Sequence, residues 1–248
     1  MNFLLSVVVS ILSYGAVPND TTVNNACAIN KAIEECADKG GGTVEVPEGV
    51  FTTGSVFLHS GVTLKLDSGA VLLGSNRLDD YSSLKTTLDL SRYESGQGTV
   101  NYNSATDPQW SKAMIFGVGC TGAGIEGSGC IDGGDVRNAL GEEHMRGPHT
   151  IILAGCNDIR MSGFKVRRSA NYAFLAYLLD KSVFSQLTIE GGWDGIHVRG
   201  CRDVTIDDCK IFTGDDAIAG GYWEKMNIRR CLLNSSCNGI RMIMPSTD

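Results

Sequence analysis

The chain has 248 residues, a length that favours one domain and allows a sizeable buried core. Thirty-one Gly against five Pro imply many tight turns, in a composition far from collagen or low-complexity sequence. The net charge of −7 argues against nucleic acid as a partner, because binding a phosphate backbone needs clustered Lys and Arg.

The first predicted element is the apolar stretch 3–12, too short to cross a membrane. It reads as a first β-strand running into Ser13-Tyr14-Gly15-Ala16, or as the core of a signal peptide. No Lys or Arg precedes it and no clear small-x-small cleavage site follows. Residues 25–38 predict a helix: Ala26, Ile29, Ile33 and Cys36 share a face, Asn24 or Asn25 can cap it, and Gly40 stops it. Short strands follow around 43–46, 56–58, 62–66 and 71–73, separated by Gly and Asp turns. Residues 78–112 are polar and aperiodic, with Tyr81, Tyr93, Tyr102 and Trp110, an insertion of the kind that forms a functional wall or a disordered loop. A second insertion, 133–148, holds His144, Arg146 and neighbouring acids.

From there the sequence repeats. Trp-Asp-Gly-Ile (193–196), Asp-Asp-Ala-Ile (215–218) and Cys-Asn-Gly-Ile (237–240) recur every 22 residues. Apolar positions fall into ladders at the same spacing: Phe184, Ile206, Ile228; Leu187, Cys209, Cys231; Ile189, Ile211, Leu233; Ile196, Ile218, Ile240. Met161, Phe164, Val166 and Phe174 extend them one coil earlier with one residue of slippage. Strand-length alternations at so short a period describe a β-solenoid, with the helix at 25–38 covering its N-terminal end. The leucine-rich pattern of similar length is absent, and Ile, Val, Phe and Cys suit stacked strands. Nine Cys cannot all pair; there is no CxxC and the four His are scattered, so no metal site is expected. Cys27 and Cys36 on one helix lie about 13 Å apart, too far for a disulfide. Most of the cysteines read as small buried apolar residues.

The period also places polar residues. Asp194, Asp216 and Asn238 form one column on three consecutive coils, and Asp215 sits beside Asp216. Three carboxylates within roughly one coil spacing, about 4.8 Å, resist joint ionisation, so at least one pKa should rise. That is the condition for a general acid working beside ionised partners. Gly-Asp-Asp and Asp-Gly are also ordinary turn sequences, but a stack of acids costs stability that asparagine would not. With Ile196, Ile218 and Ile240 pointing in, His197, Ala219 and Arg241 point out on the same surface, with Arg199 two residues further along. Trp193 and Trp223 could stack on sugar or belong to core or rim.

At these residues the chain resembles glycoside hydrolase family 28, the polygalacturonase family. The resemblance is carried by Ser-Tyr-Gly-Ala (13–16), Gly-Gly-Gly-Thr-Val-Glu-Val-Pro-Glu-Gly (40–49), Gly-Ser-Gly-Cys-Ile-Asp-Gly (127–133), Asp-Gly-Ile-His-Val (194–198) and Thr-Gly-Asp-Asp (213–216). It implies an all-β fold, a right-handed parallel β-helix, and inverting hydrolysis of pectin-like galacturonan. Carried over, Asp215 would be the general acid and Asp194 and Asp216 would activate water, with no cofactor and no metal; His197, Asn238 and Arg241, placed beside them by the repeat and by strand alternation, are expected to bind substrate. Three departures stand out. Gly192-Trp193 replace the family's Asn-Thr, Asn238 falls where its Gly-His-Gly histidine belongs, and its Arg-Ile-Lys motif is not found, Arg241 lying elsewhere. The expected partner is a polysaccharide or oligosaccharide, acted on outside the cell or in the periplasm. Neither nucleic acid nor a membrane is expected, and the whole protein should be a monomer. The alternatives are a β-helix polysaccharide lyase, commonly aided by Ca²⁺, or a non-catalytic glycan-binding β-helix. Residues 1–248 read as one β-helix domain truncated at its C-terminus and weakly active or inactive, since only eight residues follow Ile240 and none resembles a solenoid cap.

Overall fold

A computed structural model describes residues 7–94, 103–244 and 246 of the chain. Tyr102 and the first residues of the apolar stretch, up to Ser6, lie outside them. The fold is a right-handed parallel β-helix whose strands line three faces; the first and third faces join through the later coils into one 13-stranded sheet, and the second is a separate 7-stranded sheet. The first sheet stacks Val7–Ser10, Gly42–Val46, Val62–Leu66, Gly124–Gly127, Arg160–Ser162 and Val183–Ser185. The second runs from Gly49–Thr53 through Cys130–Asp132 and Thr188–Glu190 to Leu232–Ser235. The third stacks Val56–Phe57, Ala113–Val118, His149–Ala154 and Phe174–Asp180, and continues into two later coils. There the strands Ile196–Asp207 and Ile218–Arg229, twelve residues each, bend from the third sheet into the first through left-handed residues at Gly200, Asp203, Tyr222 and Lys225.

The 22-residue ladders are the packing of the interior. Phe184 pairs with Ile206 and Ile206 with Ile228; Ile196 pairs with Ile218 and Ile218 with Ile240; Ile189 pairs with Ile211 and Ile211 with Leu233. Met161, Val166 and Phe174 sit one coil earlier in the same columns. The predicted helix is Ala26–Asp38. It buries Ala28, Ile29, Ala32, Ile33 and Cys36 against the first coils, with the Asn24 side chain accepting from the Ala26 N–H. Gly40, at a φ of 95°, takes the left-handed turn that ends it. Val7–Ser10 is a strand, parallel to Gly42–Val46. All nine cysteines are free thiols, and Cys36, Cys120, Cys156, Cys201 and Cys209 are buried as apolar side chains.

A second apolar cluster lies outside the barrel. The third sheet turns Ile115, Ile151, Leu153 and Phe174 inward and Phe116, Ile152, Leu175 and Tyr177 outward, yet both sets are buried. The insertion over 78–112 covers the outer set with Leu90, Ala105 and Trp110. His149–Ala154 is therefore buried at every position, the mark of a strand covered on both sides. Where that cover ends, the next coils of the same sheet carry the polar cluster.

Candidate active site

Asp194, Asp216 and Asn238 follow one another on three coils. The Gly195 N–H donates to the Asp216 carbonyl, and the Ala217 N–H to that of Asn238. The side chains are linked as well: Asp194 Oδ1 accepts from the Asp216 N–H at 3.3 Å, and Asp216 Oδ1 accepts from Asn238 Nδ2 at 2.6 Å. Arg241 Nη1 meets Asp216 Oδ2 at 3.2 Å. Asp194 and Asp216 are buried, at 2% and 3% exposure. Asp215 alone stands at the rim, its side chain 26% exposed and 3.3 Å from Arg146 Nη2. The structure thus brings together the carboxylate cluster and Arg241 as the repeat predicts. The exposed amide of Asn238 is engaged with Asp216.

Burial, with the charges of Asp215 and Asp216 adding to it, pushes the Asp194 carboxyl up to about 8. The hydrogen bond from the Asp216 N–H works the other way and is too weak to reverse it. One carboxyl of the three does rise, as crowding requires, and it is Asp194.

His197 lies on the outer face as strand alternation demands, but at 3% exposure it is no surface residue. Its Nδ1 is 2.6 Å from Asp194 Oδ2, its Nε2 accepts from Arg199 Nε at 3.1 Å, and the Tyr172 ring stacks on it at 5.0 Å and 7°. Arg199 is buried in its turn, its Nη1 donating to the Tyr93 carbonyl at 3.0 Å and its guanidinium 5.4 Å from the Trp110 ring. Above His197 and Arg199 the next coil presents only Ala219 and Gly221, which keeps the space over them open. A cavity of about 500 Å³ results, reaching from Arg92, Glu94 and Asn103 of the first insertion to Arg241.

Sequence spacing alone missed Arg146, Tyr172 and Glu142. Arg146, from the second insertion, is buried between Glu142, Glu143 and Asp215, and its guanidinium lies 3.9 Å over the Trp193 ring. Trp193 thus backs an arginine, while Trp223 is buried and donates Nε1–H to the Val198 carbonyl. Trp110 Nε1 donates to Glu142, tying the two insertions together. Asp215, Asp216 and Cys237 place potential metal-ligand atoms within 4.8 Å of one another, but both carboxylates are already paired with arginines. No helix of the described residues is long and apolar enough to cross a membrane.

Comparison with known proteins adds lineage to this geometry. The family model described as "Glycosyl hydrolases family 28" matches residues 36–240. An exo-poly-alpha-D-galacturonosidase of Dickeya chrysanthemi is 25% identical over 85% of the chain and 41% of its own length. A probable polygalacturonase of Vitis vinifera is 28% identical over 88% of the chain and 45% of its own. The chain therefore spans less than half the length of these relatives. The structure of a family 28 exopolygalacturonase of Yersinia enterocolitica superposes with a TM-score of 0.68 at 21% identity, covering 93% of this chain and 48% of that one, and shares its fold.

Proposed function

The chain belongs to glycosyl hydrolases family 28, and on that premise we propose that it hydrolyses glycosidic bonds of a galacturonan-type polysaccharide with inversion at the anomeric carbon. The observation that carries this reading is the cluster of Asp194, Asp215 and Asp216 at the base of one cavity, flanked by Arg146 and Arg241. Asp215, the carboxyl at the rim, is the general acid that protonates the departing oxygen. Asp194 and Asp216, deeper in the floor, hold the water that attacks from the other face. The crowded cluster retains one proton, which burial keeps on Asp194; with sugar bound, that proton serves the acid step. Inversion needs the acid and base about 6.5–9.5 Å apart across the reacting sugar.

The mode of attack is from a chain end. The first insertion lies across the third sheet on the N-terminal side of the carboxylates and gives the site a wall where an open groove would otherwise continue. The galacturonosidase and exopolygalacturonase among the similar proteins bear names of the same mode. A polymer of this kind is met outside the cytoplasm, so the protein acts there, as a monomer.

Purified protein incubated with polygalacturonate should release new reducing ends without ultraviolet-absorbing unsaturated products. Solution viscosity should fall slowly relative to the bonds cut. Asp215→Asn should lose turnover by roughly 100-fold or more while still binding the polymer. Near-wild-type turnover in that variant would reject Asp215 as acid, and a rapid viscosity drop would reject attack from the end.

A further inference from the structure

Arg199 is a cation to which the reaction above gives no task. It is 1% exposed, and no carboxylate among the described residues forms an ion pair with it. Its contacts are instead directional. Nε donates to His197 Nε2 at 3.1 Å, and Nη1 to the Tyr93 carbonyl at 3.0 Å. A guanidinium keeps all its protons in a protein and offers no acceptor. His197 Nε2 therefore can only accept, and the single proton of the imidazole must lie on Nδ1. There it is donated to Asp194 Oδ2, 2.6 Å away.

The geometry points to Arg199 as a positioning residue that locks His197 in its Nδ1–H tautomer, and thereby confines the proton that Asp194 gains and loses to Oδ1. Asp194 Oδ2 is permanently engaged as an acceptor. Oδ1 accepts only the longer 3.3 Å bond from the Asp216 N–H, and is the oxygen on which the proton comes and goes. The consequence for turnover rests on Asp194 being one of the catalytic carboxylates; the tautomer does not.

The surroundings agree. Tyr172 stacks on one face of His197, and behind it His149 Nδ1 accepts from the Tyr172 N–H. On the cavity side the charged groups acting on it are Asp194, Asp215, Asp216 and Arg241, with Glu142, Arg146, Glu94 and Arg92 further along the same lining. Burial and the Arg199 charge hold the His197 imidazole well below the usual histidine range, against the pull of Asp215 and Asp216. A second proton on His197 would have to sit on Nε2 and point at the Arg199 N–H. Without Arg199, Nε2 is free to take that proton. An imidazolium would then face Asp194, and the carboxylate would lose its strength as a base.

Imidazole ¹⁵N–¹H spectra of the whole protein between about pH 5 and 8 test this directly. Wild-type His197 should remain neutral with its proton on Nδ1 throughout. In Arg199→Met an Nε2–H signal should emerge, and His197, still held down by burial, should become imidazolium at a higher pH than in the wild type. The variant's kcat should gain an acid limb there, with KM little changed and a loss within the roughly 100-fold that marks the low end of a positioned base. Arg199→Lys, which restores a permanent donor, should restore the tautomer and the profile. A wild-type imidazolium, a wild-type Nε2–H, or an unaltered Nδ1–H signal in Arg199→Met would overturn the lock. If Arg199→Met does not fold, the wild-type spectrum alone decides. Failure to cleave any polysaccharide would sink the catalytic reading and leave the spectra standing.

Discussion

Asp194 is where the site departs most from ordinary carboxylate behaviour, and the departure has a thermodynamic signature. Folded, it keeps its proton to about pH 8; unfolded, it loses it near 4. Between those values the native state binds more protons, so its contribution to stability is full below about pH 4 and lost as pH rises toward 8. Urea midpoints of the wild type should fall across that window more steeply than those of Asp194→Asn, which has no proton to lose; parallel curves would mean that Asp194 is not the titrating group. At this scale the sequence was partly legible. A 22-residue spacing suffices to stack Asp194, Asp216 and Asn238, because in a solenoid register is periodicity. It does not reveal that His197 and Arg199 are buried: Arg199 is covered by Tyr93 and Trp110 from a separate aperiodic segment, and His197 by the Tyr172 ring and Arg199. Arg146 reaches Asp215 across 69 residues of sequence, and nothing in a local motif records that contact.

The insertion over 78–112 looks, as sequence, like either a wall or a loop, because its aromatic residues have no period to reveal a face. Its outcome was written elsewhere, in the third-sheet strands His149–Ala154 and Phe174–Asp180, whose outward Ile152, Leu175 and Tyr177 are as apolar as their inward neighbours. Strands this apolar on both sides require a cover, and the insertion is that cover. Its foothold beside the site is Gly200. A Cβ added there would approach the Tyr93 ring to 2.7 Å, at a φ of +78° that an L side chain rarely adopts. Gly200→Ala should therefore lift Tyr93 and release the carbonyl that holds Arg199. The expected result is a raised KM for oligosaccharides and a stability loss of about 1–3 kcal/mol, with the far-ultraviolet β signal retained. An unchanged KM would show that the wall does not depend on this contact.

Across the whole molecule, the coils that carry the carboxylates differ from the earlier ones in that a single strand passes from the third sheet to the first. Ile196–Asp207 and Ile218–Arg229 pair with each other from Ile196 with Ile218 to Asp207 with Arg229, round the corner of the helix. The floor of the cavity is therefore one paired ribbon, bent at the corner where Gly200, Asp203, Tyr222 and Lys225 take left-handed φ angles and leave the ladder. The walls, by contrast, are held by side-chain contacts such as Tyr93 on Gly200 and Trp110 on Glu142. Deuterium uptake should separate the two, with amides of 196–199 and 218–220 exchanging only through global unfolding and those of 84–94 exchanging far sooner. Equal rates would mean that floor and wall open together. If they separate, whatever yielding the protein does to admit a sugar is done by its walls, and the spacing of the acids beneath is the same before the substrate arrives as after it leaves.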